Sequence, residues 1–519
     1  MPNLVTDETK LIRITMLILL LLLLLQVIAL SSFIVVGSAS NGEDDDDMTY
    51  KTMYFHDQTL DHLTPFAPSK QRTTYSQRYL VNDNNFGQQQ LSEICPGPIF
   101  LYVGNEGDIT EFWKANGFMK YLAKKYGGLL LFFEERYYGK SIPDGVEEEK
   151  EGRTTPYKYL TTQQVLEDTV TLLHRVKREY NAVACPTIAF GGSYGATLAS
   201  YLRLAYPFLI QGALASSSEV GYYDQSGWAA HNVSMYTFTE IVARQYDKTD
   251  GCLARIWDAI DLIESIEDDE SLVREFNFCN KTALTPMQSS VFSYALEGLP
   301  QSNYPYQIDA MPAWPVDYSC TILTDESIPL LKRAAMVTSM VEGYSLEGDC
   351  FETPKEGPGN IPGDGPGLGS WGYQSCTETL HTFSSVGRGG RGLRHFSYEE
   401  EIETLQQTCI DLYNVIPDTT VLATRYGGYD IGRTTTNTIF STGLIDPWGG
   451  ASMTSVLDGG HDASERGVYF FAMNDAAHHL DLRGWNEFDP PDVIATRHQE
   501  ERIIMGWVYE YINTTTTAQ

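Results

Sequence analysis

Thr187-Ile-Ala-Phe-Gly-Gly-Ser193-Tyr-Gly-Ala-Thr-Leu-Ala-Ser-Tyr-Leu-Arg203 decides the reading of this chain. Short apolar residues run into Gly191-Gly192-Ser193-Tyr194-Gly195, and a segment with helical character follows at once. A strand, a sharp turn and a helix in that order make a nucleophile elbow, which holds its central serine in a strained backbone conformation. Glycine at 191 and 195 lets strand and helix pass closely, so the Ser193 hydroxyl stands clear of the turn. A G-x-S-x-G pattern alone is common. What gives this one weight is the strand–turn–helix context that the chemistry needs.

A nucleophilic serine needs a base, and the base needs an acid to orient it. Working outward, Asn437-Thr-Ile-Phe-Ser-Thr-Gly443 reads as a β-branched strand that runs into Leu444-Ile-Asp446-Pro-Trp-Gly-Gly450. An aspartate just past a strand, before a Pro/Gly turn, is where a triad acid sits. Gly467-Val-Tyr-Phe-Phe-Ala-Met473 reads as another strand, followed by Asn474-Asp-Ala-Ala-His478-His479-Leu-Asp-Leu-Arg483. Serine, acid and histidine thus follow one another in the order of the α/β-hydrolases. The expected fold class is α/β, an α/β-hydrolase with a large, mainly helical cap inserted between nucleophile and acid. The 252 residues between Ser193 and Asp446 are what demand the cap.

Together G-G-S-Y-G-x-x-L, L-I-D-P-W-G-G and A-H-H-L-D-L-R resemble a family of serine peptidases. Its members include lysosomal Pro-X carboxypeptidase, dipeptidyl peptidase II and thymus-specific serine protease. Phe55–His62, Thr74–Tyr79, Leu101–Asp108, Glu135–Ser141 and Trp371–Glu378 carry further matching motifs, so the resemblance spans about residues 48 to 510. It implies Ser193 as nucleophile, Asp446 as acid and His478, the first of the paired histidines, as base. Chemistry alone does not separate His478 from His479. The oxyanion hole would use the backbone N–H of Tyr194 and a second N–H from the turn at Gly104 and Asn105. Trp448 would offer an apolar plate for a proline ring, Thr197 would line the adjoining wall, and Glu378 is a cap-side polar candidate for substrate binding or, equally, a structural ion-pair partner.

Three departures from the family pattern stand out. Glu135 replaces a common histidine, Ala196-Thr197 replace Gly-Met, and Thr442 replaces an asparagine. None touches the triad. A threonine at 197 is smaller and more polar than methionine, which puts proline selectivity in question more than catalysis.

Lys10 and Arg13 precede an apolar run from Ile14 to Val36, closed by Ser38-Ala39-Ser40. This is the layout of a secretory signal peptide. The run also exceeds the roughly 20 residues that span a bilayer, so a signal anchor is the second reading. Either sends the enzyme into a lysosome or vacuole, or outside the cell. Eight cysteines suit that oxidising route. Cys95-Pro96 and Cys185-Pro186 both open strands, so a Cys95–Cys185 bridge is expected. The other six permit 15 pairings and stay unassigned. Asn232, Asn280 and Asn513 are glycosylation sequons.

Thirty-six basic residues against 68 acidic ones leave a net charge of −32, which argues against nucleic acid as a partner. The expected partners are proline-containing peptides. A membrane enters only through the N-terminal segment, a homodimer is left open, and the triad calls for no metal or cofactor. The chain divides into a leader at 1–40, a first core part at 48–219, the cap at 220–430 and a second core part at 431–512. A carboxypeptidase releasing the residue after proline is the leading reading, and a dipeptidyl peptidase releasing Xaa-Pro is the alternative. An esterase and a catalytically silent binding protein stand further off.

Overall fold

The computed structural model describes residues 49–64, 74–143, 157–267, 269–279, 290–351, 369–384, 392–393, 398–454 and 463–517. The leader at 1–40, the sequon at Asn280 and most of the Gly/Pro-rich stretch 356–369 lie outside these residues. Eight strands form one sheet: β1 Lys51–Thr59, β2 Thr74–Asn82, β3 Ile99–Tyr102, β4 Leu129–Phe133, β5 Thr187–Gly192, β6 Gly212–Ser216, β7 Thr438–Gly443 and β8 Val468–Met473. Their order is β1-β2-β4-β3-β5-β6-β7-β8. β1, β2 and β4 pair antiparallel, and every pairing from β4 to β8 is parallel.

Parallel strands covered on both faces read as continuous apolar runs, and β3 and β4 do so. All four residues of β3 and all five of β4 are buried. Successive side chains serve opposite layers. Ile99, Leu101, Leu129 and Leu131 pack into the core that continues beneath the cap, whereas Phe100, Tyr102, Leu130 and Phe132 pack into the core on the other face.

Helices α1 (Ile109–Ala115), α2 (Gly117–Tyr126), α3 (Thr162–Glu179) and α4 (Tyr194–Ala205) accompany the first six strands. Helix α3 starts where it does because the Thr161 hydroxyl caps it by accepting from Gln164 N. Between β6 and β7 the chain is helical: α5 Thr237–Asp247, α6 Cys252–Ser265, α7 Asp269–Glu275, α8 Ser290–Gly298, α9 Pro315–Leu323, α10 Leu330–Glu342, α11 Ser370–Thr377, α12 Tyr398–Tyr413, α13 Val421–Tyr426 and α14 Ile431–Thr434. A last helix, α15 (Pro491–Thr517), lays Ile504 and Trp507 against the sheet face opposite the cap. The architecture is an α/β-hydrolase core with a helical cap.

Cys95 and Cys185 are bonded, 90 residues apart in sequence, with Cα atoms 5.0 Å apart. They join the starts of neighbouring strands β3 and β5. The six unassigned cysteines pair as Cys252–Cys320, Cys279–Cys350 and Cys376–Cys409, all within the insertion. No helix among the described residues is long and apolar enough to cross a membrane.

Candidate active site

Ser193 sits between β5 and α4 at φ 58°, ψ −130°. A non-glycine residue there carries about 1–3 kcal/mol of backbone strain and persists only where its surroundings over-determine it. Here they do. Ser193 N donates to Ser216 O on β6 at 3.0 Å. A Cβ on Gly191 would fall 1.9 Å from Gly195 O, and one on Gly195 would fall 1.9 Å from Asn105 Oδ1. Both glycines are therefore required by close approach.

Asp446 follows β7 and caps a short turn, its Oδ1 accepting from Trp448 N at 3.1 Å. Its Oδ2 lies 2.6 Å from His478 Nδ1, with Asp446 fully buried. That contact commits Nδ1 and leaves Nε2 as the basic nitrogen of His478. Cap residues fix the histidine backbone: His478 N donates to Gln301 O at 3.0 Å, and the Tyr304 hydroxyl donates to His478 O at 3.0 Å. Burial works against the imidazolium. The charge and hydrogen bond of Asp446, with Glu219 and Glu106 behind them, outweigh it and hold His478 above its ordinary pKa.

The structure separates the two histidines that the residues alone left equal. No carboxylate among the described residues pairs with the His479 ring. Burial first, then the neighbouring charges of His478 and Arg483, push its pKa far down, so it stays neutral. Its backbone N donates to Ser217 Oγ at 2.9 Å, and its ring packs beneath Gly192.

Glu219 is the residue that sequence reasoning missed. Ser193 Oγ donates to Glu219 Oε1 at 2.9 Å, and not to His478. Glu219 is 4% exposed. Its Oε2 accepts from the Tyr223 hydroxyl and lies 3.3 Å from His381 Nε2. Burial disfavours the charged carboxylate, yet the His381 contact and the Tyr223 hydrogen bond overcome it and hold Glu219 below the usual carboxylate range. The signal was available: an acidic residue directly after Ser216-Ser217-Ser218, at the end of a central strand, where hydrolase loops carry function.

On the oxyanion side, Gly104 adopts φ 101° and runs beside Gly195. The Asn105 side chain pins this turn to the elbow, donating to Gly192 O at 2.9 Å and accepting from the Tyr102 hydroxyl at 2.6 Å. Tyr194 N opens α4, where the first N–H groups have no partner inside the helix. Below it, the Tyr194 hydroxyl meets Gln374 of α11 and lies 3.4 Å from Glu135 Oε1, in the place the family commonly gives to histidine. Burial, then the charge of Glu106, push Glu135 well above the usual carboxylate range.

Trp448 is buried, and its Nε1 donates to Gln301 Oε1 at 2.7 Å. Phe238 and His381 pack against it, each with its ring centroid 4.9 Å away. Thr197 is fully buried, with Oγ1 accepting from Glu219 N at 3.2 Å. The profile of the family described as serine carboxypeptidase S28 matches residues 58–500. The chain belongs to the serine carboxypeptidase S28 family. It is a serine peptidase. This S28 peptidase is 30% identical over 476 residues to lysosomal Pro-X carboxypeptidase of Mus musculus, covering 89% of this chain and 90% of that protein. The Homo sapiens counterpart gives 30% over 476 residues and 89% of each chain. Thymus-specific serine protease of Mus musculus is 26% identical over 473 residues, 86% of each chain.

Within the S28 peptidase, Glu378 has structural partners. Glu378 Oε2 accepts from Thr162 N at 2.6 Å, and Arg425 Nη1 stands 3.9 Å from Oε1. The carboxylate thereby ties the start of α3 to the cap, the structural one of the two roles expected of Glu378. Asn232 and Asn513 are both exposed.

Proposed function

We propose that this S28 peptidase is a lumenal exopeptidase that cleaves beside proline through an acyl-enzyme, acting as a Pro-Xaa carboxypeptidase. The observation that carries the reading is the 2.6 Å contact between Asp446 and His478, beside a serine held at positive φ. In this reading Ser193 turns from Glu219 to His478 Nε2 when substrate arrives, since catalytic hydrogen bonds often tighten only in the substrate complex. Ser193 Oγ attacks the scissile carbonyl as His478 takes its proton, and Tyr194 N with the Gly104–Asn105 turn receives the oxyanion. His478 returns the proton to the leaving amine. Water then enters by the same base and releases the acid.

Trp448 supports the proline preference as a buried aromatic plate near the triad. The names of the Pro-X carboxypeptidase relatives support the chain end that is read. Four disulfides and the lysosomal relatives support a place in the secretory pathway, in lysosome or vacuole.

The test sets the purified enzyme beside its Ser193→Ala variant at neutral and at mildly acidic pH. One substrate is an N-terminally blocked peptide ending in Pro-Phe, and the other an unblocked Lys-Pro reporter amide. Release of phenylalanine alone, lost in the variant, is the expected result. Release of the reporter alone would replace the proposal with a dipeptidyl peptidase.

A further inference from the structure

Glu219 lies within hydrogen-bond reach of the nucleophile, and the triad mechanism makes no use of it. Both its oxygens are occupied in the free enzyme: Oε1 by the Ser193 hydroxyl, Oε2 by Tyr223 and His381. Acylation changes that inventory. The Ser193 hydroxyl leaves Glu219 for His478 Nε2 as substrate arrives, and as an ester oxygen Oγ has no proton to bring back, so Glu219 Oε1 stays without that donor while still buried. A buried carboxylate oxygen without a donor is costly, and the carboxylate has no proton of its own to offer. The nearest source of a replacement is the group now attached to Oγ. Acylation bonds Oγ to the carbonyl carbon of the residue before the scissile bond, which places that residue's nitrogen three bonds from Oγ. An internal proline has no N–H to give.

We propose that Glu219 is a specificity-determining residue that receives a cationic nitrogen from the acyl-side residue of the substrate. Two sources share this chemistry: the side chain of a lysine or arginine at that position, or the free imino group of an N-terminal proline. His381, which packs on Trp448, and Thr197, which accepts from Glu219 N, make this wall polar. The inference rests on Ser193 as nucleophile and not on the preference for proline.

The test measures kcat/KM on the full-length enzyme with two matched pairs. In a blocked peptide the acyl-side residue is lysine or its uncharged counterpart norleucine, and a proline reporter amide is offered with a free or an acetylated nitrogen. The wild-type enzyme is expected to prefer the cationic member of at least one pair by about tenfold or more. Glu219→Gln is expected to bring that ratio close to one. The lysine pair reports a side-chain cation, the proline pair an imino group. Ratios near one in both pairs for the wild type overturn the proposal without recourse to any variant, and so does a preference that survives Glu219→Gln. Labelling by a fluorophosphonate probe keeps the two readings apart. Failure to label Ser193 sinks the nucleophile itself, whereas labelling with flat ratios sinks only the role of Glu219.

Discussion

At the scale of single residues, the site is governed by contacts that leave no room and by charges that leave little freedom. Gly195→Ala must push Asn105 away, because the added methyl would overlap its Oδ1. Asn105 pins the oxyanion turn, so kcat is expected to fall on the order of 100-fold or more, the effect of losing one oxyanion donor. Single-turnover kinetics on a chromogenic ester would read this directly, and an unchanged acylation rate would contradict it. Asp446→Asn is expected to cost about 10⁴ in kcat, since it removes the group that orients His478 and stabilises its charged form. The pH profile follows from the same charges. His478 must be neutral to act as base, and its pKa lies above the ordinary value. The acid limb of kcat/KM should therefore fall at a midpoint higher than that of an unperturbed histidine. Glu219 is one of the charges that raises His478. Glu219→Gln should move the limb toward lower pH; movement the other way would show that Glu219 does not face the imidazole as a carboxylate.

Elements explain what was legible beforehand and what was not. The elbow, β7 with Asp446 and β8 with His478 were readable because each is a short apolar strand ended by a Gly, Pro or Asp turn, a purely local pattern. The Cys95–Cys185 bridge was readable because both cysteines open strands of one sheet. Glu219 was not, because its meaning depends on Ser193, Tyr223 and His381 meeting in space. Which of its two expected roles Glu378 takes was not legible for the same reason: its partners Thr162 and Arg425 lie on α3 and at α13, far from it in sequence. The pairing of the six cap cysteines likewise depends on how helices stack, which no spacing reveals. At this scale the Cys95–Cys185 bridge closes a 90-residue loop. Replacing both cysteines by alanine should lower the unfolding free energy by about 2–5 kcal/mol, read by urea denaturation under oxidising conditions. No change in the midpoint would mean that the strands need no such tie.

The whole molecule is a core and a cap that share one set of buried side chains. Trp371 of α11 is 1% exposed and packs its ring on Tyr194, with centroids 5.3 Å apart. Gln374, one helical turn on, bonds to Tyr138 and Tyr194 of the core. Trp371→Ala is thus expected to destabilise the protein by about 3–5 kcal/mol and to loosen the oxyanion donor with it. Melting curves paired with ester turnover would show both losses together; loss of stability with full activity would separate the cap from the donor. Ser193 is only 9% exposed, so little of the nucleophile meets solvent. Folded proteins and peptides with proline only at their centre should resist cleavage, and mass spectrometry of such digests would reveal any internal cut.

The placement of the disulfides also has a temporal side. All eight cysteines precede Thr438, and no bridge joins core to insertion. During synthesis the covalent framework can therefore close in sequence, first the bond at residue 185 and then the three in the insertion, before β7 and β8 leave the ribosome. Asp446 and His478 arrive last, onto a scaffold already cross-linked. A nascent chain so ordered holds its serine long before its acid and base emerge, so the triad is completed late in biogenesis.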